Sequence, residues 1–213
     1  MRDQEGCYAC KRPASTVEHV PPKCFFPEAL RTNLITVPSC VRHNNANSLD
    51  IEYVRNVLVC TSELGPESNV VFSRAIRSME RRPALWATMF PDIQVIQFQG
   101  RETGAFSVDL VRLKRVMTAI VQALHFRDFG IRRRRWRIFT PTLQSIGTLG
   151  GETDKWESLR AQLATVRYKY LQTGQQDVFA YGRTRMKPSG YLYQLVFYNA
   201  VIVNAWPELR RIE

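Results

Sequence analysis

The chain has 213 residues, 45% hydrophobic and 23% charged, which is ordinary for a globular protein that buries a core. It lacks the apolar run of about 20 residues that a membrane helix needs, and its start, MRDQEGCYAC, lacks the apolar stretch of a secretory signal, so a cytoplasmic protein is expected. Thirty Lys and Arg against nineteen Asp and Glu give a net charge of +11, which suits a polyanionic partner because each neutralised phosphate releases counterions.

Residues 1–47 are rich in Cys, Pro, Asn and His and poor in periodicity, as expected of a module held by a metal rather than by a core. Asn47 and Ser48 are good helix N-caps, and Leu49, Tyr53, Val54, Val57 and Leu58 then follow at helical spacing to about Cys60. ELGPES, Glu63 to Ser68, breaks the pattern and marks a boundary between a module at 1–65 and a second domain at 66–213. Val71, Ala75 and Met79 predict a further helix. IQVIQF, Ile93 to Phe98, alternates like a strand, and QGRETG predicts a turn into a second strand at AFSV. Leu110, Leu113, Met117, Ile120, Val121 and Leu124 predict a helix over 108–126, and Lys155 to Leu171 predicts another. VFAYGR and the run from Tyr191 to Trp206, rich in aromatic and β-branched residues around the turn KPSG, predict β-structure. The expected fold class is therefore α+β, with a small zinc-stabilised module followed by a basic mixed domain.

Cys7-x2-Cys10 is a chelating pair, and Cys40-x2-His43 is a second pair with the same spacing. Three thiolates and one imidazole make an accepted tetrahedral set for structural Zn2+. An odd total of five cysteines, without a secretion signal, argues against a disulfide framework and leaves Cys24 and Cys60 as small core residues.

Four pieces lie in order around these pairs: CYAC, EHVPP, TNLITVPSC and CVRHN. Together they resemble the HNH endonuclease family over roughly residues 5–60. The resemblance implies a β-hairpin and a helix around a metal (a ββα-metal fold) and metal-dependent hydrolysis of phosphodiester bonds in DNA, most often duplex DNA. It implies that His19 is the general base toward water, that Glu18 and Asn44 hold a catalytic Mg2+ or Mn2+, and that Asn33 orients His19. The sequence departs from the family in placing His43 where most zinc-bearing members have a second Cys. Two alignments follow. His43 either completes the zinc site and leaves Asn44 to the catalytic ion, or ligates the catalytic ion itself and leaves the zinc one ligand short. The first is preferred, because Cys-x2-His is itself a sound chelating pair.

IRRRRWRIF, Ile131 to Phe139, packs five arginines and a tryptophan into nine residues. Arg pairs with phosphate and Trp stacks on bases, so Arg132, Arg133, Arg134, Arg135, Trp136 and Arg137 are candidate nucleic-acid contacts, and RTRMK, Arg183 to Lys187, extends the set. The bland alternative is a solvated basic strand edge. The competing functional class is a catalytically inactive zinc-stabilised protein that binds nucleic acid or regulates a partner.

Overall fold

The computed structural model describes residues 6–61, 66–81, 83–98, 100–144, 153–171, 173–187 and 190–208. Strand β1 (Thr16–His19) pairs antiparallel with β2 (Thr36–Ser39), setting Thr16 opposite Ser39 and His19 opposite Thr36. Between them run two short 3-10 turns, Lys23–Phe25 and Glu28–Leu30, entered from Pro22 and Pro27 at φ −52° and −50°. That backbone angle is the one the pyrrolidine ring imposes, so the prolines set the course of the loop. The loop is anchored from afar: Tyr198 donates from its hydroxyl to the Phe25 carbonyl at 2.7 Å, and the Phe25 ring meets Phe197 edge-on at 5.9 Å.

After β2 come α1 (Val41–Asn45) and α2 (Ser48–Thr61). Tyr53, Val54, Val57 and Leu58 are buried as the spacing predicts, but Leu49 is 74% exposed. Its turn belongs to the solvent side, where Asp50 forms ion pairs with Arg112 and Arg115. Helices α3 (Pro66–Glu80) and α4 (Pro83–Met89) lead to a hairpin of β3 (Gln94–Phe98) and β4 (Arg101–Ala105). The second strand thus starts at Arg101, earlier than the expected AFSV. Gly100 at φ 75° closes a tight turn that sets Phe98 opposite Arg101.

Helix α5 (Leu110–Phe129) is capped at its start by Asp109, whose carboxylate accepts from the amides of Val111 and Arg112 at 3.0 and 3.1 Å, and ends at Gly130 at φ 68°. Leu113, Val116, Met117, Ile120, Val121 and Leu124 are buried on it, packing against α2 on one side and the large sheet on the other. Leu110, expected in that stripe, is 46% exposed.

The large sheet follows: β5 (Trp136–Phe139), β6 (Lys169–Leu171), β7 (Phe179–Met186), β8 (Gly190–Phe197) and β9 (Val201–Pro207), all antiparallel in the order β5-β9-β8-β7-β6. Helices α6 (Pro141–Gln144) and α7 (Thr153–Ala164) lie between β5 and β6. The helix expected to reach Leu171 stops at Ala164, because Tyr168 and Tyr170 are taken by the sheet. Tyr168 crosses the bare backbone of Gly182, where a Cβ would stand 2.9 Å from the Tyr168 Cβ, and its hydroxyl bonds Asn204 at 3.0 Å. The expected run from Tyr191 to Trp206 divides at Tyr198 and Asn199, both at positive φ, into β8 and β9.

The architecture is mixed α+β, as expected. One apolar cluster runs from Phe25 and Val37 through α2 and α5 to Phe197 and Val203, so the core is continuous across the boundary expected at residue 65, which itself lies outside the described residues. Among the described residues no helix is long and apolar enough to cross a membrane.

Candidate metal centre and adjoining cleft

Cys7 and Cys10 lie on one tight turn, closed by the Cys10 amide on the Cys7 carbonyl at 3.3 Å and by the Cys7 amide on the Arg12 carbonyl at 2.9 Å. The Tyr8 amide bonds the Pro38 carbonyl at 2.8 Å and ties this turn to β2. Cys40 stands at the N-cap of α1, and the first helical turn brings His43 onto the same side. The thiol sulfurs and the His43 ring nitrogen all lie within 4.8 Å of one another. Cys7 Sγ is 3.5 Å and Cys40 Sγ 3.2 Å from His43 Nδ1, and Cys10 Sγ is 4.0 Å from Cys40 Sγ. Ligands about 2.0–2.3 Å from a tetrahedral zinc stand roughly 3.5–3.8 Å apart, so the quartet could hold such an ion. Cys24 and Cys60 remain outside it as free thiols.

Glu18 and His19 line a small pocket of about 20 Å3 together with His43 and Asn47. Val116, Ala119, Ile120 and Ala123 of α5 form its roof. Glu18 Oε2 is buried there without a hydrogen-bond partner. Burial, reinforced by the Cys7 thiolate, pushes the Glu18 carboxyl up to about 7. Burial and then the Lys23 charge lower the His19 pKa, which keeps the imidazole neutral near pH 7. No side chain among the described residues hydrogen-bonds the His19 ring.

The two asparagines expected at this site fall elsewhere. Asn44 is half-buried on α1 and does not line the pocket; Asn47, one helical turn beyond His43, does. The i,i+4 spacing was the signal for Asn47, hidden by its value as a helix cap. Asn33 is exposed at φ 53°, a left-handed position that Asn tolerates, and does not line the pocket either.

The arginine run is divided. Arg132 is not presented to a ligand: its Nε donates to the Cys7 carbonyl at 2.8 Å and its guanidinium covers the Phe126 ring at 4.7 Å. Trp136 is buried, donates from its indole to the Arg133 carbonyl at 2.9 Å and packs edge-on against His125 and Tyr193, so it is no stacking platform. Arg183, expected to extend the set, pairs with Asp128 and lies over Phe129. Arg135 and Arg137 are exposed, the latter on edge strand β5, and Arg133 is half-buried.

Arg134 turns instead into an open cleft of about 730 Å3. Arg12, Arg42, Lys114 and Arg115 line it as well, and among the described residues no Asp or Glu does. The cleft and the small pocket share Tyr8, His43, Asn47 and Ala119 as walls.

No protein-family model matches the chain, and neither does any curated protein or solved structure.

Proposed function

We propose that the protein is a zinc-stapled, metal-dependent endonuclease of the HNH type that hydrolyses phosphodiester bonds in DNA. The observation that carries this is the buried, unpartnered Glu18 Oε2 beside His19 and Asn47. A carboxylate left without a donor or a cation is costly to bury, and the short distance in sequence between acid and imidazole fits a hydrolytic pair. Glu18 and Asn47 supply the hard oxygen atoms that Mg2+ or Mn2+ prefers, and the pocket is roomy enough for about one water or one ion. Bound there, the ion would stabilise charge on the phosphate and the departing oxygen. His19, held neutral by its burial, takes the proton from the attacking water. Cys7, Cys10, Cys40 and His43 would hold Zn2+, which would tie α1 to the Cys7–Cys10 turn and steady Asn47 as a wall of the Glu18 pocket.

The test is cleavage of plasmid and of circular single-stranded DNA, with EDTA and with added Mg2+ or Mn2+. Product formation that needs the divalent ion and falls at least 100-fold in His19→Ala, with zinc content unchanged, supports the proposal. Products that persist in His19→Ala, or none with any ion, overturn it.

One observation favours a catalytically inactive nucleic-acid-binding protein as the second possibility: α5 roofs the Glu18–His19 pocket and leaves it too small for a phosphate. That alternative predicts salt-sensitive binding without products.

A further inference from the structure

We infer that the basic cleft between the metal-binding turn and α5 holds the backbone of a single nucleic-acid strand, rather than the intact duplex that the family resemblance implies. This rests on the nuclease proposal for what happens to the strand, not for its binding.

Val111, Lys114, Arg115, Thr118, Ala119 and Gln122 recur at helical spacing and line the cleft as one stripe of α5, beside the apolar stripe that faces the core. From Val111 to Gln122 the stripe is about 16 Å long. It faces Arg12 on the metal-binding turn, Arg42 on α1 and Arg134. Arg115 is engaged by Asp50, which leaves Arg12, Arg42, Lys114 and Arg134 as exposed cations with, among the described residues, no acid lining the cleft. Thr118 and Gln122 add neutral donors. Such a lining neutralises phosphates in a row and reads no base.

Size selects the ligand. A volume of about 730 Å3 lies in the range of clefts that take small ligands, about 300–1000 Å3, so it admits a short stretch of one strand and not the breadth of a duplex. A single strand can bend to follow the stripe with its bases turned away, whereas a duplex offers its backbone only on the face of a stiff rod. The roof over Glu18 and His19 acts in the same direction. Val116, Ile120 and Ala123 close that pocket from the α5 side, while Tyr8, His43, Asn47 and Ala119 line both cavities, so the cleft lies directly beside it. A strand lying along α5 would thus pass beside the pocket that holds His19.

The test uses the full chain carrying His19→Ala, so that binding is read without cutting, and fluorescence anisotropy with a labelled mixed-sequence 20-mer, single-stranded or annealed, at several salt concentrations. Single-stranded DNA is expected to bind at least tenfold tighter than the duplex. Arg12→Gln, Arg42→Gln, Lys114→Gln and Arg134→Gln should each weaken it about fivefold at 0.1 M salt and lower the log–log salt slope by about 0.7. These side chains are exposed, so folding, followed by circular dichroism, is retained; Lys169→Gln on edge strand β6 should change nothing. Equal affinity for duplex, or cleft variants that bind like Lys169→Gln, would overturn the inference even if the native protein cuts DNA. A single-strand preference that is lost in the cleft variants upholds it even where the native protein cuts nothing, and then only the nuclease proposal falls.

Discussion

Arg132 reaches across 125 positions of sequence to place its Nε 2.8 Å from the carbonyl oxygen of Cys7. With its guanidinium over Phe126, it fastens the Cys7–Cys10 turn to α5. Arg132→Gln is expected to destabilise the fold by about 1.5–3 kcal/mol, the worth of a hydrogen bond to a charged group, and to weaken zinc binding. Arg134→Gln, two residues on and facing the cleft, should leave the melting temperature unchanged. Calorimetry of both variants decides, and a normal melting curve for Arg132→Gln would remove the clamp.

Loss of one ligand should unfasten the N-terminal elements altogether. Cys40→Ser is expected to drop bound zinc from one equivalent to well below it and to expose β1 to proteolysis, since a structural zinc supplies folding free energy to the segment it closes. Cobalt replacement offers a spectroscopic check: three thiolates and one imidazole give intense charge-transfer and visible bands, and their absence would refute the quartet.

Asn47 and Asn44 can be told apart by activity. Asn47→Ala should lower metal-dependent cleavage about 10- to 100-fold and raise the Mg2+ needed for half-maximal rate, while Asn44→Ala changes neither. Equal losses, or a loss in Asn44→Ala alone, would return the ion to the position first expected from sequence.

His125 makes stability depend on pH. It is buried, its Nδ1 lies 3.1 Å from the Tyr193 hydroxyl, and burial together with the charges of Arg133 and Arg183 pushes it down to about 4. The unfolded chain takes up a proton near pH 6.5 that the folded chain refuses until about 4. The stability His125 contributes is therefore whole above pH 6.5 and is lost as pH falls through that window, by roughly 3 kcal/mol in all. Urea midpoints measured from pH 8 to 4 should show this loss, and His125→Gln should flatten it. A variant with the unaltered pH slope would rule the histidine out.

Gly182→Ala tests the seat of β6. The added methyl would meet the Tyr168 Cβ at 2.9 Å, with both groups fixed to backbone, so strand β6 must shift. A destabilisation of about 1–3 kcal/mol is expected in urea unfolding; a neutral result would mean that the edge strand yields freely.

What the residues alone made legible was local. Two Cys/His pairs at fixed spacing disclose a chelating quartet without any tertiary knowledge, and the stripes in α2 and α5 follow from period and caps. What stayed hidden depends on partners far along the chain. Nothing near Trp136 says that His125 and Tyr193 will enclose it, and nothing near Arg132 says that a carbonyl at Cys7 will claim it. Residues 165–171 carry a helical pattern that loses to pairing with β7. Asn33 and Asn44 lie outside the small pocket for a related reason: an amide suits a left-handed turn, a helix end and an ion equally well, and only the surroundings choose.

The hydrogen bond from Tyr198 to Phe25 spans 173 positions, and Phe25 belongs to the loop that leaves His19. That loop also rests on α2 and reaches Arg74 of α3 through Glu28, but its fastening by Tyr198 waits for the C-terminal sheet. The course of the chain just after His19 is therefore fixed in full only when both ends of the sequence have come together.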